Sequence, residues 1–333
     1  MKKILPVIVI LAAALFTVSC DDNLSPKAEF REEFAMYGIL KIDTTFQTVY
    51  LSRSYQVEGF SGMENKTDPV IEGAEVKMNV VRGRDTIKYT LVPESAQRND
   101  LSRYNTPVKY YVLNNYKPVD GDRVLLNAKL PNGKVLKSNT LVPPITYLYY
   151  ETSTANYDPL GEEGSGFTGI KFAWKFLSNQ FNSSTNYFAP RMEIIYHKAD
   201  NPSNKIRVKV PLYFVPRDGT ELPLYPNVST ATTVQFYGDS IEKVLRSISE
   251  GDSNKSGYII DLAEFTLLLM DKNLASFLAA ENTFADEFST RIDAADFSNI
   301  EGGLGLFGSV ATKKTIVKIA KSYISTFGYR VSY

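Results

Sequence analysis

Three glycines near the end of the chain have the spacing of a nucleotide-binding loop. Gly303, Gly305 and Gly308 match the G-x-G-x-x-G pattern that approaches a pyrophosphate in dinucleotide-binding folds. Such a site also needs an acidic residue about 20 positions later for the ribose, and no Asp or Glu follows Glu301. A phosphate-binding P-loop is excluded as well, because the Gly-Lys-Ser/Thr ending is missing.

We instead interpret residues 298–309 as a tight glycine-rich loop that packs on a sheet and shapes a surface. Its apolar contacts are predicted to come from Ile300, Leu304, Leu306 and Phe307. The candidate structural or interaction residues of this loop are Asn299, Gly302, Gly303, Gly305, Phe307 and Gly308.

The other residues with catalytic potential are few. His197 is the only histidine, so any serine- or histidine-based acid–base mechanism would have to use it. No G-x-S-x-G elbow supplies a nucleophile, and we interpret His197 as a partly exposed residue at a strand end. Asp120-Gly121-Asp122 lacks the spaced ligands of a calcium loop and is predicted to be a β-turn. No catalytic, cofactor-binding or metal-binding residue is therefore predicted.

The first 19 residues have the pattern of a lipoprotein signal peptide. Two lysines precede an uncharged apolar run that is too short to span a membrane. The run ends in Val18-Ser19-Cys20, which resembles the lipobox of bacterial lipoproteins, although Thr17 stands where leucine is usual. We expect Cys20 to be acylated and residues 20–33 to form a tether. The alternative is an ordinary cleaved signal with an incidental cysteine.

The composition argues against one class of partner. The chain has 37 basic and 37 acidic residues, and removing residues 1–19 with their two lysines leaves a net charge of about −2. This balance gives no support for nucleic-acid binding. The apolar content of 44% is typical of a globular protein, and at about 100–200 residues per domain the length suggests two domains.

Alternating apolar and polar residues predict a β domain over residues 34–143. Its strands are expected at 34–42, 46–54, 76–80, 87–91, 124–130 and 135–141. Asn132-Gly133 is predicted to close the third hairpin with a type I′ turn. Short strands at this spacing predict an immunoglobulin-like β-sandwich.

Val142-Pro143-Pro144-Ile145 is the predicted domain boundary, because two prolines block both helix and central strand. Residues 144–333 are predicted to form a larger β-rich domain with two short helices. Its strands are expected at 170–176, 206–214, 265–270, 315–319 and 323–333. Pro211 makes 206–214 an edge strand or a bulged one.

Capping patterns predict the two helices of this second domain. The first is expected to begin at an Asp239 cap and to end at Gly251. The second is expected over 272–281 behind an Asp271 cap, with Leu274, Phe277 and Leu278 facing inward. A longer continuous helix that also includes 265–270 is the alternative.

Three stretches carry a resemblance to a known family. They are Val49-Tyr50-Leu51-Ser52-Arg53-Ser54, Pro69-Val70-Ile71-Glu72-Gly73-Ala74-Glu75-Val76 and Ser298-Asn299-Ile300-Glu301-Gly302-Gly303-Leu304-Gly305-Leu306-Phe307-Gly308. Behind a lipobox, this order resembles Bacteroidota lipoproteins of the "domain of unknown function 4249" type over most of the mature chain. The resemblance implies an outer-membrane lipoprotein, often encoded beside a TonB-dependent transporter, and no established reaction. Asp21 and Asp22 resemble a short form of a surface-export signal, which supports outward-facing display, with periplasmic display as the alternative.

Three functions follow as hypotheses. The first is a non-enzymatic accessory lipoprotein that binds a ligand, peptide or partner, such as a TonB-dependent transporter. The second is an envelope hydrolase with paired carboxylates, which predicts a cleft with two facing acids of perturbed pKa. The third is a structural or adhesive surface protein, which predicts a broad exposed aromatic patch and no concave pocket.

Overall fold

The computed structural model describes residues 29–57, 61–151, 169–177, 186–282 and 297–333. These residues form a mainly β fold with 18 strands and three α-helices. Cys20, the predicted signal peptide and most of the predicted tether lie outside the described ranges. Within these ranges, no helix is both long enough and apolar enough to cross a membrane.

A nine-stranded sheet connects the two halves of the chain. Eight of its strands follow one path from edge to edge: β12 (Asn201–Lys209), β11 (Tyr187–Lys198), β16 (Tyr258–Met270), β17 (Leu304–Val317), β1 (Phe34–Lys41), β2 (Gln47–Arg53), β6 (Val108–Leu113) and β5 (Val92–Ala96). The ninth, β18 (Arg330–Val331), pairs in parallel with the start of β16. Neighbours on the path are antiparallel except for β1 and β17, which are parallel.

Two smaller sheets and a separate hairpin complete the β structure. The four-stranded sheet has the order β4 (Asp85–Thr90), β3 (Glu75–Arg82), β7 (Arg123–Lys129) and β8 (Val135–Leu141). The three-stranded sheet has the order β15 (Thr233–Tyr237), β10 (Gly169–Phe176) and β9 (Leu148–Tyr150). The hairpin consists of β13 (Tyr213–Arg217) and β14 (Thr220–Leu224). The helices are α1 (Gly238–Ser247), α2 (Lys272–Asn282) and α3 (Lys321–Ser325).

Both smaller sheets pack on the same face of the nine-stranded sheet, each over its own apolar core. Met78 and Leu126 of the four-stranded sheet share a core with Phe307 of β17. The three-stranded sheet and α1 share a second core with β11, β16 and the end of β17, where Phe172 stacks on Phe265 with ring centroids 3.7 Å apart. Phe307 and Ala311 are four residues apart on β17 and therefore point to one face.

The opposite face of β17 meets α2. Leu306 and Val310 belong to a third, smaller cluster together with Leu274 of the helix. Because successive strand residues point to opposite faces, β17 contributes to all three cores. This strand is therefore the structural centre of the molecule.

The predicted domain boundary coincides with a change of sheet. All strands of the four-stranded sheet precede Pro143, and all strands of the three-stranded sheet follow it. The nine-stranded sheet, however, takes strands from both sides, joined by the parallel pairing of β1 with β17. The immunoglobulin-like arrangement is thus not confirmed, and the division into domains 34–143 and 144–333 stays a prediction.

All three hairpins predicted for the first half are confirmed, but the turn at Asn132-Gly133 is not type I′. A type I′ turn needs positive φ at both central residues, and here only Gly133 has one (+86°). The Gly133 N–H donates to the Leu130 carbonyl at 2.9 Å, and the Asn132 Oδ1 accepts from the Lys134 N–H at 3.0 Å. Five residues separate Lys129 from Val135, so a longer loop closes the hairpin.

The two predicted helices are present, and one of the two predicted caps is wrong. Asp239 lies inside the first turn of α1, which follows Tyr237 without a side-chain cap, because β15 runs directly into the helix. At α2 the Asp271 cap is confirmed, since its Oδ1 accepts from the Leu274 N–H at 3.0 Å. Residues 265–270 belong to β16, which excludes the longer helix.

The chain end differs most from expectation. Residues 323–333 do not form one strand, because α3 and a tight turn precede the two-residue strand β18. Ile324 and Phe327 are both buried in the second core although they are three residues apart, a spacing that would place them on opposite faces of an extended strand. The expected strand 315–319 ends at Val317. β12 is an edge strand as predicted, and it ends at Lys209, before Pro211.

Candidate functional site

The glycine-rich segment is a loop only as far as Gly303 and continues as strand β17 from Leu304. The loop prediction is therefore wrong for Gly305, Phe307 and Gly308, which lie in a central strand. Ile300, Leu306 and Phe307 are buried as expected, whereas Leu304 is exposed. Glycine usually weakens strands, so its presence here needs a separate explanation.

That explanation is close approach of backbones. A Cβ atom on Gly302 would lie 2.5 Å from the Val135 carbonyl oxygen, and one on Gly303 would lie 2.4 Å from the Phe34 oxygen. At Gly305 the distance to the Met36 oxygen would be 2.2 Å, and at Gly308 a Cβ would lie 2.9 Å from the Leu274 Cβ. The four glycines thus let the segment lie directly against β1, β8 and α2.

Asn299 fixes the loop onto the strand that follows it. Its Nδ2 donates to the Phe307 carbonyl at 2.7 Å, and its Oδ1 accepts from the Phe307 N–H at 2.9 Å. The Ser138 hydroxyl of β8 donates to the Asn299 carbonyl at 2.8 Å. Asn299 therefore pairs with both the backbone N–H and the backbone carbonyl of Phe307, as a neighbouring strand would.

Next to this loop lies a buried polar cluster, Thr140, Asp271 and Ser309, which we call the seam. Asp271 Oδ1 accepts from the Ser309 N–H at 3.1 Å, and Oδ2 lies 2.7 Å from the Thr140 hydroxyl oxygen. The Ser309 hydroxyl donates to the Leu141 carbonyl at 2.7 Å. Burial raises the pKa of the Asp271 carboxyl despite these hydrogen bonds. The seam ties β8, β17 and α2 together.

The sequence-predicted candidates therefore form a structural junction that is closed to solvent at its centre, where Ser309 is fully buried. The cap pattern indicated Asp271, but no local signal indicated its contacts with Thr140 and Ser309, which lie 131 and 38 positions away. We assign these residues a role in stability.

His197 lies at a strand end as predicted but is buried, with 6% of its surface exposed. Its Nδ1 is 3.0 Å from Asp261 Oδ2 and 2.9 Å from Lys205 Nζ. A β-bulge between Ile195 and Tyr196 shifts the register of β16 beside this histidine. Burial opposes ionisation of Asp261, but hydrogen bonds from Lys205 and His197 outweigh it and lower the pKa of that carboxyl. The trio is a polar network that links β11, β12 and β16.

Asp120-Gly121-Asp122 forms the predicted β-turn, in which the Asp122 N–H donates to the Val119 carbonyl at 3.0 Å. The buried Asp122 carboxylate accepts two hydrogen bonds from Arg82, at 2.8 and 2.7 Å. Within the described ranges no three His, Cys, Asp or Glu side chains are grouped closely enough to hold a metal ion.

One pair of acids does face each other across strands. Glu193 of β11 and Glu264 of β16 are register partners, and Arg207 Nη1 lies 2.7 Å and 2.9 Å from their carboxylates. Lys314 adds a contact of 3.0 Å to Glu264. Burial opposes ionisation of Glu264, yet both cations lower its pKa. A glycosidase acid needs the opposite shift, so this pair is not arranged for acid catalysis.

We expect Arg207→Met to raise the pKa of Glu264, because the burial of that carboxyl remains while its first cationic partner is lost. Carboxyl-carbon NMR titration measures this change. Arg246→Met is the matched control, since Arg246 pairs with Glu242 on the exposed surface of α1. An unchanged Glu264 pKa in Arg207→Met would contradict the assignment.

An exposed apolar surface lies on the β13–β14 hairpin. We call Tyr213, Val215, Leu222 and Leu224 the hairpin face. Tyr213 pairs with Leu224 and Val215 pairs with Leu222, so all four side chains point to one side, and each is 38–45% exposed. The other side faces α1, where Lys243 Nζ lies 2.6 Å from Glu221 and 5.0 Å from the ring centre of Phe214.

The hairpin is held in a defined position. Its turn residues Asp218 (φ +49°) and Gly219 (φ +79°) are both left-handed, as a type I′ turn requires. At its base, the Leu212 N–H donates to the Leu224 carbonyl at 2.7 Å, and the Tyr237 N–H donates to the Leu212 carbonyl at 3.2 Å. The Asp-Gly pair is the local signal that could have indicated this hairpin.

A groove of about 430 Å³ lies where β12 ends beside β11, and we call it the edge groove. The Val210 N–H donates to the Met192 carbonyl at 2.8 Å, and Phe188 exchanges two hydrogen bonds with Ser229 at 2.7 and 3.0 Å. Pro190 lies between these two positions. Because alternate strand residues point their backbone groups to the same side, Pro190 presents a carbonyl to the gap and no N–H.

The walls of the edge groove are apolar and its rim is basic. The apolar lining includes Ala189, Met192, Val210, Val228 and Leu278. Arg191 and Lys209 also line it, and both are exposed. Within the described chain neither forms an ion pair, whereas the neighbouring Glu193 is paired with Arg207. Two grooves near Glu72 differ, because Arg53 and Lys109 there are paired with Glu32 and Glu72.

Comparison with known families agrees with the resemblance seen in the sequence. A family model described as a domain of unknown function (DUF4249) matches residues 23–316. No curated protein matches the chain. The matched range includes the seam, the hairpin face and the edge groove. The chain therefore belongs to the DUF4249 family.

Proposed function

We propose that this chain is a lipid-anchored, non-enzymatic accessory protein of the outer membrane that docks on a TonB-dependent transporter. The hairpin face is the observation that carries the proposal. Its four apolar side chains stand in register on one side of a ribbon whose turn and base are fixed by hydrogen bonds. Contiguous apolar surface of this kind is characteristic of protein–protein contacts.

The position of the proposed anchor supports a membrane-embedded partner. Nine residue steps separate Cys20 from Glu29, where the described fold begins. A chain of that length spans at most about 30 Å, so acylation of Cys20 would keep the folded body close to the bilayer. A partner that rises from the same membrane is then within reach of the folded body.

The charged groups support a binding role over hydrolysis. Of the described carboxyl groups with a shifted pKa, Asp271 alone has a raised one, and it is buried in the seam. The facing acids Glu193 and Glu264 share Arg207. His197 is engaged with Asp261 and Lys205. Glu193, Glu264 and Asp261 thus serve in ion pairs on the sheet, and Asp271 serves in the seam.

The proposal is tested by affinity purification of the tagged, full-length protein from gently solubilised outer membranes, followed by mass spectrometry. The wild type is expected to recover a TonB-dependent transporter in stoichiometric amount. Tyr213→Ser/Leu222→Ser should reduce that recovery at least about tenfold, because burying each side chain contributes ~1.5–3 kcal/mol. Cys20→Ala should abolish it by removing the anchor.

A matched control replaces exposed apolar side chains elsewhere. Ile87→Ser/Leu101→Ser alters residues of comparable exposure away from the hairpin and should recover the transporter like the wild type. Thermal unfolding of each variant verifies that the fold is retained. Recovery of the lipoprotein alone from wild-type membranes would contradict the proposal of a transporter partner. If the hairpin variant recovered as much transporter as the wild type, the hairpin face would not be the docking surface.

A further inference from the structure

We infer that the edge groove binds an aliphatic group that carries a carboxylate. The inference deepens the proposed binding function and rests on it, but it involves neither the hairpin face nor the transporter. Three features of the groove lead to this ligand class: its apolar walls, its basic rim and the backbone carbonyl of Pro190.

The apolar walls of the groove favour an aliphatic group in the ligand. A volume of about 430 Å³ falls within the range of small-molecule sites, which are roughly 300–1,000 Å³ and mainly apolar. The residues that line it come from four separate parts of the fold: β11, the end of β12, the segment around Val228 and helix α2. The groove is therefore formed by the fold before any ligand binds.

The basic rim of the groove favours a negatively charged ligand group. Arg191 and Lys209 lie on adjacent strands at the same groove and form no ion pair in the described part of the chain. The nearest acid on their strands, Glu193, is held 2.7 Å from Arg207. Two cations beside an apolar surface favour an anion with an apolar body, and an arginine fork matches a carboxylate.

Pro190 adds a hydrogen-bond acceptor between the anchor points Val210 and Ser229. Pro190 is itself buried, and the alternation of β11 directs its carbonyl to the position where a neighbouring strand would donate an N–H. A peptide with an apolar C-terminal residue could supply that N–H, the aliphatic group and the carboxylate together. A fatty-acid-like monocarboxylate would supply only the last two. Both sources share the ligand chemistry that we infer.

Isothermal titration calorimetry on the full chain carrying Cys20→Ala tests the inference with three probes. They are sodium decanoate, an acetylated hexapeptide ending in Val-Leu, and the same hexapeptide with an amidated C terminus. We expect at least one free carboxylate probe to bind, and the amidated peptide to bind at least about tenfold more weakly than its free acid if the peptide does. Binding of decanoate alone identifies a fatty-acid source, and binding of the free peptide alone identifies a peptide source.

Variants connect that binding to the groove. Arg191→Gln/Lys209→Gln should weaken the affinity for the binding probe at least about tenfold. Val228→Asp should have the same effect, because it places a negative charge on the lining of the groove. Arg84→Gln/Lys88→Gln, two exposed cations on the β3–β4 hairpin, should leave the affinity unchanged. Absence of binding by all probes at millimolar concentration, or equal affinity in the rim variant, would overturn the inference. Neither result alters the transporter experiment, which depends on the hairpin face.

Discussion

Gly305→Ala is expected to destabilise the protein by about 4 kcal/mol, a large share of the ~5–15 kcal/mol that stabilises a typical fold. The added Cβ would lie 2.2 Å from the Met36 carbonyl oxygen and 3.2 Å from the Met36 nitrogen. Gly305 also has a φ of +116°, which an L-residue adopts only with strain. Relief requires β1 and β17 to separate.

The position of this contact explains the size of the effect. The parallel pairing of β1 with β17 runs from Ala35 opposite Leu304 to Lys41 opposite Val310 and joins the two halves of the large sheet. Phe307, two residues along, is buried in the core beneath the four-stranded sheet. A displaced β17 would therefore disturb packing as well as hydrogen bonding.

Urea unfolding of the wild type, Gly305→Ala and Gly133→Ala measures the effect. Gly133 is the matched control, because it also has positive φ (+86°) but its added Cβ would meet nothing within 4 Å. The Gly133→Ala variant measures only the cost of placing an alanine in a positive-φ conformation, which is about 1 kcal/mol. Equal decreases in the free energy of unfolding for the two variants would show that the contact with Met36 does not contribute to the effect.

The elements predicted correctly are those that local patterns determine. Alternation with a period of two located the hairpins of the first half, and capping chemistry located α2 with its Asp271 cap. Both signals act over fewer than about 20 residues. By contrast, the α1 cap was misplaced, because the pairing of β15 with β10 decides where that helix begins.

The long-range contacts had no local signal. β1 and β17 pair over about 270 positions, and the glycines of β17 argue against a strand unless the approach of Met36 is known. The edge groove arises from the mutual position of Pro190, Lys209 and Leu278, which three separate elements supply. The hairpin face was within reach of sequence reasoning, because Asp218-Gly219 marks its turn.

The seam contains too few protons when Asp271 is ionised. Three contacts follow one another: Asp271 Oδ2 to the Thr140 hydroxyl at 2.7 Å, Thr140 to the Ser309 hydroxyl at 3.1 Å, and Ser309 to the Leu141 carbonyl at 2.7 Å. Two hydroxyl groups supply only two protons for these contacts. A protonated Asp271 supplies the third, so each group then donates to the next. This count agrees with the raised pKa that burial produces.

A raised folded-state pKa means that the folded protein holds this proton more tightly than the unfolded chain. Asp271 therefore favours folding most at pH values below its ordinary pKa of 3.8, and this contribution is lost as the pH rises through the folded-state pKa. Asp271→Asn should lack the dependence, because its amide Nδ2 can donate to Thr140 at every pH while Oδ1 still accepts from Leu274 and Ser309.

We expect the unfolding free energy of the wild type minus that of Asp271→Asn to fall as the pH rises from 3.8 and then to become constant. Asp271→Ala should be about 3 kcal/mol less stable than Asp271→Asn at every pH, since it removes the helix cap and leaves buried N–H groups unpaired. Denaturant titrations at stepped pH measure both, with Asp239→Asn on the exposed start of α1 as the control. A difference that rises with pH would show that the seam favours the ionised carboxylate, and the hydroxyl protons would then have to be arranged to stabilise a charge.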